Sequence, residues 1–587
     1  MRARRVLATM ILLAAGLGRS AGQAARAEAQ PPSAAPTPAA TDDPFTREAR
    51  HAVVVSVSPP GSAAGLAVLR RSGTAVDAAV ATALAMAVTW PAAGNIGGGG
   101  FMMVYPGPGQ APVCVEYRET APAAATATTL ALDRRMDGPR VCGVPGTVAG
   151  LALAHRRFGR LPWRDLVMPA VRLARAGFPV DHALAASLNG VLKGSPQFEE
   201  LQRVFKPPPG KPAWEPGDRL VQPELADTLE RIATGGPDAF YRGTIADRLA
   251  AEMKAGGGLI TKADLAGYQA RVRAPIHGTY RGYDVYAAPP PSSGGVCLVE
   301  MLNILENFPA RRLRASDDPS RWSAEGMHLM IEAMRRAYCD RARWLGDPDF
   351  TPIPAHLTSK DYARTLAAGI DPQRATRSED LAGNIVLTDE SPDTTHFSVV
   401  DAEGMAVANT YTLENSYGSK VVVRGAGFLL NNEMTDFNRV PGRTGRKGLI
   451  GTPPNLIAPG KRMLSSQTPA LVCRNGRLAL VTGSPGGRTI INTVLCTLVH
   501  FIDFGMDLRQ AVDAPRLHHA WFPDSAQFEA VARPEYRETI QRLKAMGHAL
   551  SPKGYRQGDA HSIAIDPRTG RCLGAADRRT DGSAAGF

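Results

Sequence analysis

A chain of 587 residues that is 44% hydrophobic and 21% charged has enough apolar material for a large folded core, which excludes a disordered or fibrous protein. Its 59 glycines and 47 prolines follow no fixed period, so collagen-like and repeat architectures are excluded as well. The formal charge of +12 falls to +8 without residues 1–29, and that remainder is scattered with no basic stripe, so nucleic acid is not an expected partner.

The chain begins with Arg2, Arg4 and Arg5, then a short apolar run from Val6 to Leu17 and a small-x-small site at Ala27-Glu28-Ala29. This three-part pattern reads as an export signal over 1–29, with an uncleaved anchor as the alternative; Arg4-Arg5 is only an incomplete twin-arginine motif. Residues 30–49 open with a Pro/Ala/Thr-rich stretch that reads as a linker. Ser62–Arg71 reads as an amphipathic helix closed by Gly73. Thr74 is placed to cap a second helix over Ala75–Thr89, whose length, Asp77 and following Pro91 argue against a membrane span. Four glycines, Gly97 to Gly100, imply close backbone approach or positive φ before a strand at Met102–Tyr105. They lack the spacing and context of a dinucleotide fingerprint.

Phe205–Asp218 reads as a Pro-rich loop, Tyr280–Tyr286 as a strand, and Val296–Asn307 and Glu325–Leu345 as helices; residues 351–393 look irregular and polar. At Thr394 the pattern changes. Thr395–Val400, a turn at Asp401–Gly404 and Ala406–Leu413 form a hairpin, and strands are expected at Lys420–Val423, Phe428–Leu430, Ala470–Cys473 and Leu478–Thr482 before a helix over Thr489–Phe504. The expected fold class is α+β and layered, helix-rich first and sheet-rich second. Seven cysteines form no CxxC pair, so zinc and redox motifs are not expected. Export would permit disulfides, and Cys473 with Cys572 is one conceivable pair, but sequence leaves the connectivity open; Cys496 sits in an apolar run that suits a buried thiol.

Local chemistry is suggestive only in combination. Asp393-Thr394-Thr395-His396 opens a strand after a polar segment, which alone is ordinary strand chemistry. Gly483-Ser484-Pro485-Gly486-Gly487-Arg488 joins a strand to a helix, a turn that can aim amides and a helix dipole at an oxyanion. It lacks a phosphate-loop lysine and the first glycine of a nucleophile elbow, and a purely structural turn is its plain reading. Arg118 offers a fork for a carboxylate, Ser465-Ser466 two hydroxyls, and Glu433 with Asp436 two acids for an ammonium. Each alone is more often a solvated loop or cap. His518-His519 are adjacent strand residues facing opposite sides, so both read as structural and no metal site is expected.

In order, AVDAAVA (75–81), GNIGGGGF (94–101), YRETAP (117–122), VPGTVAG (144–150), PPPSSGG (289–295), LGDPDF (345–350), DTTHFSVVD (393–401), LLNNEMTDF (429–437), LSSQTP (464–469), TGSPGG (482–487) and APRLHH (514–519) resemble the γ-glutamyltransferase (glutathione hydrolase) family of N-terminal-nucleophile enzymes. The resemblance covers nearly everything beyond residue 50. It implies a four-layer αββα sandwich and self-cleavage between Asp393 and Thr394, giving a large subunit (50–393) and a small subunit (394–587) that stay together as a heterodimer. By the same resemblance Thr394 is the nucleophile, Thr412 positions it, and Gly486 and Gly487 hold the oxyanion. Arg118, Ser465 and Ser466 match the α-carboxylate clamp, and Glu433 and Asp436 the α-ammonium side. The implied substrates are glutathione and other γ-glutamyl compounds, with water, an amino acid or a dipeptide as acceptor, no cofactor, and a periplasmic or secreted location. Three departures stand out: Glu414 where many members have Asn, Ser72-Gly73-Thr74 where Gly-Gly-Asn is usual, and a lid position, Pro441–Pro454, without an aromatic residue. A related cephalosporin or glutaryl acylase and an uncleaved, non-catalytic exported binding protein are the alternatives.

Overall fold

Two antiparallel sheets lie face to face, each covered on its outside by helices. The computed structural model describes residues 43–133, 135–381, 394–441 and 453–587. The expected signal peptide, most of the linker, Asp393 and positions 442–452 of the expected lid lie outside the described residues. The strands of the two main sheets are β1 (Thr46–Ala49), β2 (Val53–Ser56), β3 (Gly99–Tyr105), β4 (Val113–Glu116), β5 (Arg271–Arg273), β6 (Ile276–Tyr280), β7 (Tyr283–Ala287), β8 (Thr395–Val400), β9 (Ala406–Thr412), β10 (Ala470–Arg474), β11 (Arg477–Thr482), β12 (Ser562–Ile565), β13 (Cys572–Ala575) and β14 (Ser583–Gly586). One sheet runs β14-β2-β8-β9-β3-β4-β5 and the other β1-β13-β12-β11-β10-β7-β6.

Strand alternation assigns the layers, because successive side chains point to opposite faces. Val54, Met102, Val104, Phe397, Val399 and Val407 pack outward against α1 (Pro59–Leu69) and α2 (Ala75–Thr89). Their neighbours Val53, Val55, Phe101, Met103, Ala406 and Ala408 turn inward and meet Leu471, Val481 and Ile563 of the second sheet. On that sheet Val285, Val472 and Leu480 face α3 (Gly294–Glu306), α4 (Ala324–Trp344) and α5 (Thr489–Ile502). The result is the four-layer αββα sandwich. Among the described residues no helix is long and apolar enough to cross a membrane.

Local signals explain the best-read elements. Thr74 caps α2, its hydroxyl accepting from Asp77 N at 3.1 Å while Asp77 accepts from Thr74 N at 3.0 Å. The same buried carboxylate also accepts from the amides of Arg160 and Leu161, so the one charge in an apolar helix is satisfied.

The part before Thr394 is the helix-rich one and the part after it the sheet-rich one, yet the first part also supplies seven of these strands, β1 to β7, so each sheet mixes strands from both halves. Four expectations need correction. Tyr280–Tyr286 is not one strand but a hairpin, turned at Arg281 and Gly282, both at positive φ as a tight right-twisted hairpin requires. The segments at 420–423 and 428–430 make a single bridge, Val422 to Leu429, rather than paired strands. Part of the irregular segment is helical at Lys360–Ala368, capped by Ser359. Cys473 and Cys572 cannot pair: β10 and β13 are three strand steps apart, about 14 Å, well beyond disulfide reach. All seven cysteines are buried free thiols.

Candidate active site

The hairpin of β8 and β9 sets the first part of the site. Thr395 pairs with Tyr411 and His396 with Thr410, so the register puts Thr394 opposite Thr412. Both threonines share the inward face with His396 and Thr410, whose side chains are bonded at 2.8 Å. The Thr412 hydroxyl accepts from Glu414 N at 2.8 Å, and its carbonyl accepts from Asn95 Nδ2 at 2.9 Å. The four glycines explain themselves here. A Cβ on Gly97, Gly98, Gly99 or Gly100 would press onto the carbonyl oxygen of Leu429, Thr412, Tyr117 or Thr410, and none of the four has positive φ. Close backbone approach is the reason, which lets β3 run tightly beside β9.

The second sheet supplies the glycine turn. β11 ends at Thr482, and Gly483 lies against the His396 ring so closely that a Cβ would overlap it. The turn therefore starts against the inner face of the first sheet, beside His396. Gly486 (φ +129) and Gly487 (φ +54) hold conformations suited to glycine, just ahead of α5. Among the described residues no group accepts from either amide. His396 has no space to be charged: burial, with His561 nearby, holds it well below the usual histidine range.

The charged group lies beside the end of β9. Arg118, 1% exposed, pairs with Glu433 at 2.6 Å and with Asp436, and Glu119 is 3.7 Å away. Glu414, Glu433 and Asp436 bring carboxylate oxygens to within 4.8 Å of one another. Asn432, bonded to Leu413 O and Asn415 N, ties the acidic turn to the strand end. Burial pushes Glu433 well above the usual carboxylate range; Arg118 opposes this, and Glu119, Glu414 and Asp436 add to it. Burial also pushes Glu119 up to about 8 against the pull of Arg118. Burial alone would lower Arg118, but the surrounding acids raise it further. Ser465 and Ser466 are buried and fixed from α4 and its neighbours: Ser293 Oγ donates to Ser465 O at 2.7 Å, and Arg341 donates to Ser293 Oγ at 2.8 Å and to Ser466 Oγ at 3.0 Å.

The profile described as Gamma-glutamyltranspeptidase matches residues 61–587. The Glutathione hydrolase proenzyme of Escherichia coli (strain K12) is 44% identical over 551 residues, 92% of either chain. The chain belongs to the gamma-glutamyltranspeptidase family. Among solved structures, a cephalosporin acylase from Bacillus halodurans superposes with a TM-score of 0.79 at 27% identity, covering 95% of this chain and 99% of its own. A gamma-glutamyltranspeptidase from Pseudomonas nitroreducens, complexed with L-DON, gives a TM-score of 0.51 at 40% identity, covering 55% of this chain and 95% of its own.

In this gamma-glutamyltranspeptidase-family chain, Thr394 and Gly486 line one cavity of about 600 Å³ together with Trp90, Ser416, Arg556 and Asp559. Arg118, Glu433, Asp436, Ser465 and Ser466 do not line it; their site is closed by its own ion pairs. His518 and His519 are structural, as expected. His518 bonds Asn492 at 2.7 Å and His519 meets Asp524 at 3.2 Å, and burial holds them at about 3 and about 4. Sequence reasoning missed three contributors. Glu119 could have been suspected as the neighbour of Arg118, and Asn95 as the residue opening the glycine run. Arg341, in mid-helix, gave no signal. Glu414 holds a second surprise, φ +78, a conformation costly for a glutamate.

Proposed function

We propose that this protein is an autoprocessed γ-glutamyltransferase/glutathione hydrolase whose nucleophile is Thr394. The observation that carries this reading is that Thr394, on the inner face of its strand, shares a cavity with the glycine turn, while its register partner Thr412 adjoins the Arg118 acid cluster. In the precursor the Thr394 hydroxyl attacks the Asp393 carbonyl. Cleavage then frees an α-amine with a reference pKa of about 8, suited to take the hydroxyl proton at neutral pH. Thr394 Oγ next attacks the γ-carbonyl of a donor such as glutathione, the Gly486 and Gly487 amides stabilise the oxyanion, and the amine leaves with the proton. Water, an amino acid or a dipeptide then releases the γ-glutamyl group. No metal or organic cofactor takes part.

For the donor's head we assign Arg118, Ser465 and Ser466 to the α-carboxylate and Glu433, Asp436 and Glu414 to the α-ammonium. With Glu414 and Asp436 ionised, two carboxylates face the one Arg118 guanidinium even when Glu433 is protonated, so the cluster favours a cationic guest. A carboxylate guest has to displace Glu433 or Asp436 from Arg118, and the guest's own ammonium is what the displaced acid then holds. The 55% match to a nearly complete gamma-glutamyltranspeptidase chain supports cleavage near Thr394, because residues 50–393 are a similar share of the sequence. The N-terminal Arg-rich and apolar pattern supports export to the periplasm or beyond, and the two subunits remain one body built from shared sheets.

The likeness to a cephalosporin acylase favours a second reading, an acylase on the same scaffold. A glutaryl group has no α-ammonium for the three acids, which argues against it. A denaturing gel tests the first claim: wild type should give two fragments split at Thr394 and Thr394→Ala one. A single band in active wild type would refute self-cleavage and leave an uncleaved protein, and turnover of glutaryl but not γ-glutamyl anilide would select the acylase.

A further inference from the structure

The cavity beside Thr394 carries a charged pair that donor hydrolysis does not employ. Asp559 is 3% exposed and lines the cavity with Thr394 and Gly486. It is built into the oxyanion turn: its amide donates to Ser484 Oγ at 2.8 Å, and Gly558, the residue before it, packs directly against Gly486. One carboxylate oxygen, Oδ2, is taken by the Thr580 hydroxyl, with His561 Nε2 3.5 Å away. The other, Oδ1, accepts no hydrogen bond. It sits 4.0 Å from Nη2 of Arg556, whose half-exposed side chain also lines the cavity. A buried carboxylate with an unused oxygen is costly unless something pairs with it, and here the available cover is a cation on a long, mobile arm.

We propose that Asp559 and Arg556 form the acceptor subsite, selecting a zwitterionic acceptor such as a free amino acid or a dipeptide. The inference rests on the γ-glutamyl–Thr394 intermediate proposed above. The Arg556 guanidinium swings onto the acceptor's carboxylate and uncovers Asp559 Oδ1, which draws in the acceptor's ammonium. The ammonium gives one proton to solvent, and Asp559 Oδ1 then receives an N–H of the resulting neutral amine, leaving the nitrogen lone pair turned toward the ester. The amine nitrogen then forms a bond to the γ-carbonyl carbon and the bond to Thr394 Oγ breaks. The proton lost by the amine ends on Thr394 Oγ, passing through the Thr394 α-amine, so a γ-glutamyl amide leaves and the hydroxyl is restored. Water needs neither charge, so the pair biases the intermediate toward transfer.

The test uses the mature enzyme with γ-glutamyl-p-nitroanilide as donor, and either glycylglycine or glycylglycinamide, which lacks the carboxylate, as acceptor. The readout is the ratio of transfer product to free glutamate. Arg556→Gln should lower that ratio about tenfold with glycylglycine, the scale of one lost charged hydrogen bond, and by less than about twofold with the amide. Arg556→Lys should restore part of it, and Asp559→Asn should lower it with both acceptors. Ratios unchanged in both variants, or an equal fall with both acceptors in Arg556→Gln, would overturn the subsite alone. Absence of p-nitroaniline release by wild type would overturn the acyl-enzyme reading and the subsite with it. Arg556 is half-exposed, so its variants test the idea even if Asp559→Asn fails to fold.

Discussion

Replacing Gly486 by alanine separates the strain of the turn from its chemistry. The residue sits at φ +129, and an added Cβ would overlap Oγ1 of Thr489, which donates to Gly486 O at 2.8 Å. Holding a non-glycine residue there costs about 1–3 kcal/mol. Turning the Thr489 hydroxyl away gives up about 1 kcal/mol more. The total, on the order of 2–4 kcal/mol, is less than a typical domain stability of about 5–15 kcal/mol, so the variant should fold. If the turn relaxes its φ instead, the two amides change direction. Losing one oxyanion donor lowers kcat by about 10²–10³. Steady-state hydrolysis of a γ-glutamyl anilide, run with a gel for maturation and a melt, should show kcat down by about that factor and KM changed by less than about threefold. The double variant Gly486→Ala/Thr489→Ala removes the overlap but not the φ demand; it should regain some Tm and little kcat. A cleaved Gly486→Ala enzyme with kcat within threefold of wild type, or full recovery in the double variant, would refute the oxyanion assignment.

Glu119 gives a signed pH effect. Its folded carboxyl lies at about 8, above the ordinary 4.5, so the stability it contributes is full below about pH 4.5 and is lost as pH rises toward 8. Glu119→Gln should therefore lose less Tm between pH 5 and 8 than wild type does, and equal losses would refute the assignment. Glu414→Asn should raise Tm by relieving φ +78, worth about 1 kcal/mol, while raising the donor KM through the lost charge; an unchanged KM would remove Glu414 from the donor site. The seven buried thiols predict no Tm change on adding reductant and no reaction with a thiol reagent until the chain is unfolded.

How far the sequence carries depends on the range of the forces involved. The cap at Thr74, the helix that follows, the β8–β9 hairpin and the strand-to-helix glycine turn were legible because each rests on contacts a few residues apart. Motifs in order also named the candidate site residues, through resemblance rather than local chemistry. Their arrangement was not legible. Strands from both halves alternate within each sheet, and that pairing follows from burying two inner faces at once, a long-range requirement that no window of sequence displays. The same packing separates Cys473 from Cys572, sets Gly483 against His396 across the sandwich, and closes Arg118 with acids more than 300 residues away. It also sets Asp559 beside the turn that holds Gly486, because the buried amide of Asp559 has to find an acceptor and Ser484 supplies it. Sequence thus determined which groups are present and which local turns they make; only the closing of two sheets over one core decided which of them meet at Thr394.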